Sequence, residues 1–166
     1  MLATTHASFG HLILWGLIAT IAMTCILQAS QGLGFSRLSL PFLVGTCFTA
    51  NRSRAMVLGF ILYTLGGWIF AFLYFLLFDS VEIYTYWFGA LTGALHGAAL
   101  LLIAPPLAPF VHPRMASEYH GVTSIRQLEP PGFLATNYGY GTPLTTLLAQ
   151  TIYGATLAGL LQLHLH

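Results

Sequence analysis

Four long apolar runs, separated by short segments that hold most of the glycine, proline and charge, organise the 166 residues. They are His11–Ala29, Met56–Phe78, Trp87–Ala104 and Pro143–Leu163. Each approaches or passes the roughly 20 residues that a helix needs to cross about 30 Å of hydrocarbon. The pattern predicts an all-α polytopic membrane protein with spans at about 11–29, 56–78, 87–104 and 143–163. All of 1–166 then forms one membrane domain, with a long irregular cytoplasmic loop, 105–142, between the third and fourth spans. The third span is expected to end where Pro105 and Pro106 remove backbone donors. The apolar piece PFLVGTCFTA (41–50) is too short to span and reads as an interfacial or partly re-entrant element. Beyond Pro106 the density of proline and glycine predicts turns, with a short helix around 114–120; a connection of that length is usually functional or disordered.

Within the spans the polar and small residues carry the information. Gly89, Gly93 and Gly97 recur every four residues and so share one side of the third helix, where another backbone can approach closely. Gly59 and Gly66 in the second span, and Gly154 and Gly159 in the fourth, give similar helix-packing surfaces. Together they exceed one internal seam, which points to contacts beyond the chain. Thr20, Thr24 and Gln28 lie at i+4 spacing. With Gln150 and Thr151 they either make interhelical hydrogen bonds or line a path for an uncharged or lipidic substrate.

Charge changes the picture by its scarcity. Five arginines, no lysine and four acids accompany 57% hydrophobic residues, far from the roughly 25% charged content of a soluble domain. A net charge of +1 without a basic run excludes a nucleic-acid surface. Three arginines fall in 30–55, two in 105–142 and none elsewhere. That asymmetry places both loops in the cytoplasm and both termini on the periplasmic side of a bacterial inner membrane. Arg52, Arg54, His112 and Arg114 then read as interface anchors, and Tyr84, Tyr86 and Trp87 as an aromatic belt. Cys25 and Cys47 read as small hydrophobes. The start of the chain lacks the positive region of a secretory signal, so the first span is expected to be retained.

His96 is the sharpest chemical candidate, a histidine near the middle of the third span and beside the glycine row. One reading is an axial ligand to haem or chlorophyll, with the glycines leaving room for the macrocycle. The other is a hydrogen bond to a neighbouring helix. His11 and His164 lie near the outer ends of their spans. His112, Glu118 and His120 match no firm metal-ligand spacing and read equally as surface groups. No GxSxG or HExxH motif, intramembrane carboxylate pair or phosphate-cradling loop is present. No catalytic residue, metal or obligatory cofactor is therefore expected, and the protein is not expected to be an enzyme.

The segments LPFLVGT (40–46), HPRM (112–115), EPPGFLATNYG (129–139) and LLAQTIYGATLAG (147–159) resemble a group of small bacterial four-helix integral membrane proteins. The resemblance implies fold and membrane location only, because that group offers no assigned catalytic residues. The expected role is a non-catalytic accessory subunit of a larger bacterial membrane complex, photosynthetic or respiratory, packing helices and holding lipid or pigment. The alternatives are a small homo-oligomeric carrier or channel, and a tetrapyrrole-binding protein using His96.

Overall fold

The computed structural model describes residues 9–117 and 127–165. Within them the protein is all-helical: α1 (Phe9–Gly32), α2 (Leu40–Thr46), α3 (Arg52–Val81), α4 (Tyr86–Val111) and α5 (Thr142–Leu165), with a short 3-10 segment at Phe133–Tyr138. Four of these, α1, α3, α4 and α5, are long and apolar enough to cross a membrane. Each is apolar all the way round, as expected for a rod set among other helices and hydrocarbon.

The helices outrun the apolar runs that announce them. α3 begins at Arg52 and ends at Val81, 30 residues or roughly 45 Å at 1.5 Å per residue, longer than the roughly 30 Å of a hydrocarbon core. α4 does not stop at Pro105. It continues to Val111 with Pro105, Pro106 and Pro109 inside it: the fixed proline φ is itself a helical value, although each ring removes a donor and crowds the carbonyl four residues back. The expected short helix at 114–120 is absent over its described part: Met115 forms an isolated bridge with Leu128. Residues 118–120, with Glu118 and His120, lie outside the described residues.

Helix ends follow local rules. Asn51 caps α3, its side-chain oxygen accepting the Arg54 amide at 3.0 Å. α1 closes in a Schellman motif. Gly34 takes φ +77°, and the Phe35 and Gly34 amides return to the Ser30 and Gln31 carbonyls at 3.0 and 3.1 Å. α3 closes the same way, with Ile83 to Phe78 at 3.1 Å and Glu82 to Asp79 at 3.3 Å. Here the left-handed residue is Glu82, φ 56°.

The chain forms two compact units. The first comprises the described residues up to Ile26, Thr64–Gly97, and those from Leu147 onward. Its core gathers around α5, where Tyr153, Leu157 and Leu161 are essentially inaccessible, with Phe78 from α3. Close approach does the packing. A Cβ on Gly89 would strike the Gly154 carbonyl, one on Gly93 the Gln150 carbonyl, and one on Gly67 the Thr20 hydroxyl. Polar side chains tie the same helices: Trp68 Nε1 donates to the Ile13 carbonyl at 3.0 Å and the Tyr153 hydroxyl to the Gly67 carbonyl at 2.6 Å.

The second unit comprises Leu27–Tyr63 and Ala98–Thr146. In it α2 lies so tightly on the start of α3 that a Cβ on Gly45 would meet the Ala55 carbonyl and one on Gly59 the Pro41 carbonyl. That contact, not propensity, holds a seven-residue helix in place.

Candidate functional site

His96 stands in the first unit against α3. Its Nδ1 lies 3.0 Å from the Tyr74 hydroxyl, which lies 3.4 Å from the Thr92 carbonyl, and the Phe70 ring covers it at a centroid distance of 4.3 Å. The Thr92 carbonyl can only accept, so Tyr74 donates to it and Nδ1–H donates to the Tyr74 oxygen. The opposite order would strand a buried N–H on Nε2, which is enclosed and has no hydrogen-bond partner. A stranded donor costs more than an unused lone pair. Nε2 is thus a bare acceptor.

The glycines beside His96 are not open. A Cβ on Gly97 would come within 3.1 Å of the Gln150 Cβ, and Gly89 and Gly93 abut the α5 backbone. The room that a macrocycle face would need on that side is filled by α5. Gly154 reciprocates against Gly89, whereas Gly66 has nothing within 4 Å and Gly159 only the Tyr86 Cβ at 3.8 Å.

The candidate polar path is closed upon itself. Thr20, Thr24 and Thr151 each donate to the carbonyl four residues back, at 2.7, 2.6 and 2.8 Å. Gln28 is exposed and Gln150 is buried. Also in this unit His11 and His164 touch, ring centroids 4.3 Å apart, with Trp15 against both. An apolar groove of about 330 Å³ lies between α1 and α3, lined by Leu12, Ile13, Trp68, Ile69 and Phe72.

The richest polar construction is in the second unit, where segments far apart in sequence meet. The Leu43 carbonyl can only accept, at 3.0 Å from His112 Nε2, and the Arg114 amide can only donate, at 3.2 Å from Nδ1. Both constraints select the Nε2–H tautomer, with Thr46 Oγ1 also 3.2 Å from Nε2. The Arg114 guanidinium reaches the Thr46 and Cys47 carbonyls at 2.6 and 3.0 Å. These are the last acceptors of α2, where a cation is favoured by the helix dipole. His112, 4% exposed, and Arg114 are therefore struts that hold α2, not side chains turned outward as anchors. Nearby, burial pushes the Cys47 thiol up despite the opposing Arg114 charge. Arg52 lies over the Phe42 ring, 6.0 Å from its centroid, and Arg54 is exposed.

A second strip, 127–141, lies beside α2 and is held by backbone acceptors. The Leu128 amide donates to the Arg114 carbonyl at 2.8 Å, and the Arg37 amide to the Tyr138 carbonyl at 2.6 Å. Tyr138 donates to the Glu129 carbonyl at 2.7 Å and Asn137 Nδ2 to the Pro130 carbonyl at 2.9 Å. Burial and the Glu129 charge push the Tyr138 phenol up to about 12. Two consecutive non-glycine residues, Leu134 (φ 52°) and Ala135 (φ 61°), are left-handed, at roughly 1–2 kcal/mol each. Such strain persists only where surroundings over-determine it, and it collects at functional places. Sequence reasoning did not find this strip's structure, since nothing in Leu-Ala signals that conformation.

Between α2 and the strip is a cleft of about 190 Å³. Its mouth carries Arg37 and Glu129, 3.6 Å apart and both well exposed. Among the described residues no three His, Cys, Asp or Glu side chains gather as a metal-ligand group. The chain matches no family model, no curated protein and no solved structure.

Proposed function

We propose that the protein is a non-catalytic membrane subunit that packs helices within a larger bacterial membrane complex of the respiratory or photosynthetic kind. In this reading it sits in the inner membrane, with the α2 end in the cytoplasm and both termini in the periplasm, as the arginine asymmetry suggests. The observation that carries it is the division between spent and unspent surface. Thr20, Thr24 and Thr151 turn their hydroxyls onto their own helix backbone, and Trp68 and Tyr153 donate to neighbouring helices. By contrast, of an 18-residue apolar stretch in each helix, only 17% is buried in α3 and in α4, against 44% in α5. The large side chains left outside include Ile69, Leu73 and Leu95. Those two helices have apolar flanks to give to neighbouring subunits.

Extraction in mild detergent, native electrophoresis and mass spectrometry of the intact particle test this. Comigration with other membrane subunits is the expected result. A particle made of this chain alone would favour the carrier reading. Visible tetrapyrrole absorbance lost in His96→Leu would favour pigment binding.

A further inference from the structure

The cleft between α2 and the 127–141 strip is amphipathic in a particular way. Leu38, Phe42 and Leu128 make an apolar floor, while Arg37, Glu129 and Tyr138 supply the polar rim. The rim holds one cation and one anion side by side, joined by a single 3.6 Å contact between exposed side chains. An exposed pair of that kind is worth little and opens readily to better partners. Arg37 spends one nitrogen on the Asn137 carbonyl at 2.6 Å, and a guanidinium has five donors, so most of its fork remains for a phosphate. At about 190 Å³ the cleft is below the roughly 300–1,000 Å³ of a site for a whole drug-sized molecule. It suits a headgroup or the first part of a chain.

Its surroundings are rich in exposed apolar side chains. Phe133 and Tyr140, on the same strip, are 75% and 95% exposed, and Leu33 and Phe35, leading into α2, are also exposed. Gly139 and Gly141 pack on Phe35, so that a Cβ on either would come within 2.7 Å of its carbonyl. These bulky apolar groups just beyond the helix ends are what the interfacial layer takes up and water does not.

We propose that this cleft binds the headgroup of an aminophospholipid, phosphatidylethanolamine in chemistry, with the phosphate on Arg37, the primary ammonium on Glu129, and the glycerol end against Leu38, Phe42 and Leu128. Charge complementarity selects a zwitterion over an anionic lipid, whose headgroup would face Glu129. The carboxylate needs N–H donors, so a primary ammonium is preferred to a quaternary one. The strip that bears Glu129 and Tyr138 is held beside the start of α2 by the Arg37 amide on the Tyr138 carbonyl and the Arg37 guanidinium on the Asn137 carbonyl.

The full chain is reconstituted in bilayers with equal parts phosphatidylethanolamine, phosphatidylcholine and phosphatidylglycerol, and retained lipid is read by native mass spectrometry. Phosphatidylethanolamine should be retained over the other two by about tenfold, the worth of one charge-assisted hydrogen bond. Glu129→Gln, which alters only an exposed side chain, should erase that preference while leaving the melting temperature unchanged. Arg37→Gln should lower retention of all three lipids. Because Arg37 also holds Asn137, the wild-type headgroup ranking and Glu129→Gln decide the matter should that variant fail to fold. Preference for phosphatidylglycerol, or an unchanged lipid pattern in Glu129→Gln, overturns the proposal. It rests on the membrane reading but not on the packing role. Loss of headgroup preference leaves comigration with partner subunits untouched, whereas a chain monodisperse without detergent ends both.

Discussion

Adding one methyl group to Gly93 should weaken the protein, and adding one to Gly66 should not. At Gly93 the new Cβ would overlap the Gln150 carbonyl oxygen, with the carbonyl carbon at 2.8 Å and the Thr151 Cα at 3.0 Å. All three are α5 backbone and have no rotamer to escape into, so the helices must part by about 1 Å or more to relieve the carbonyl overlap. A gap of that size forfeits about half of each pair's ~0.1–0.2 kcal/mol. Over about 40 atom pairs along the seam, as many as one buried leucine makes, the loss is roughly 2 kcal/mol or more. Better helix propensity returns up to ~1 kcal/mol. The net is a destabilisation of about 1 kcal/mol or somewhat more, within the range of overpacked cores. At Gly66 nothing lies within 4 Å, so only the propensity gain acts. The two alanine variants should therefore differ by roughly 2 kcal/mol, or about 4–8 °C in melting temperature for a chain of this size. Thermal unfolding in one detergent, followed by tryptophan fluorescence, measures this. Equal midpoints for the two variants would refute the seam as drawn.

Glu82→Gly should stabilise by about 1 kcal/mol, because glycine takes the left-handed end of α3 without the Cβ penalty; a lower midpoint would mean that Glu82 makes a compensating contact. Tyr74→Phe removes the group that His96 Nδ1–H donates to, and should cost about 0.6–1.7 kcal/mol, the scale of hydrogen bonds between membrane helices. Tyr74→Phe with His96→Leu should restore part of that loss, and simple additivity would show that the two do not act as a pair. For alkaline pH the sign follows from raised phenols. Tyr84, held by burial and by its 2.7 Å bond to Asp79, is pushed up to about 12, like Tyr138. In the unfolded chain both ionise near 10, so the folded state keeps protons that the unfolded state has lost. Stability is full below about pH 10 and declines as pH rises towards 12. Tyr138→Phe should flatten that decline, as seen in melting temperature against pH.

How much of this was legible in the sequence depends on the range of the forces involved. The spans are written locally, because hydropathy over some 20 residues decides who meets lipid. Their ends are not. Pro105 and Pro106 announce a stop that α4 ignores, since the same ring that removes a donor also fixes a helical φ. The glycine row of α4 was visible as a place for close approach, but its partner was not. Any small face could have served a neighbouring subunit, and only the fold shows α5 taking that side. His112 and Arg114 were visible as polar residues near a helix end. Their use is set by Leu43, Thr46 and Cys47, more than sixty residues earlier, and no spacing rule reaches that far.

The arginines can serve different ends during insertion and after folding. While the chain is being inserted no fold exists, so every arginine counts equally in choosing the side on which a loop stays. Once α2 has docked, the charges have separate uses. Arg114 is drawn in onto the α2 carbonyls, Arg52 lies over Phe42, and Arg37 stands opposite Glu129 at the cleft. Each basic side chain near an anionic surface contributes about 1 kcal/mol, so withdrawing Arg114 weakens any general attraction to acidic lipid. What remains at the cleft is a cation paired with an acid, which recognises a headgroup by its arrangement more than by its net charge. A surface that surrenders general attraction in this way gains by discriminating among lipids that all carry a phosphate.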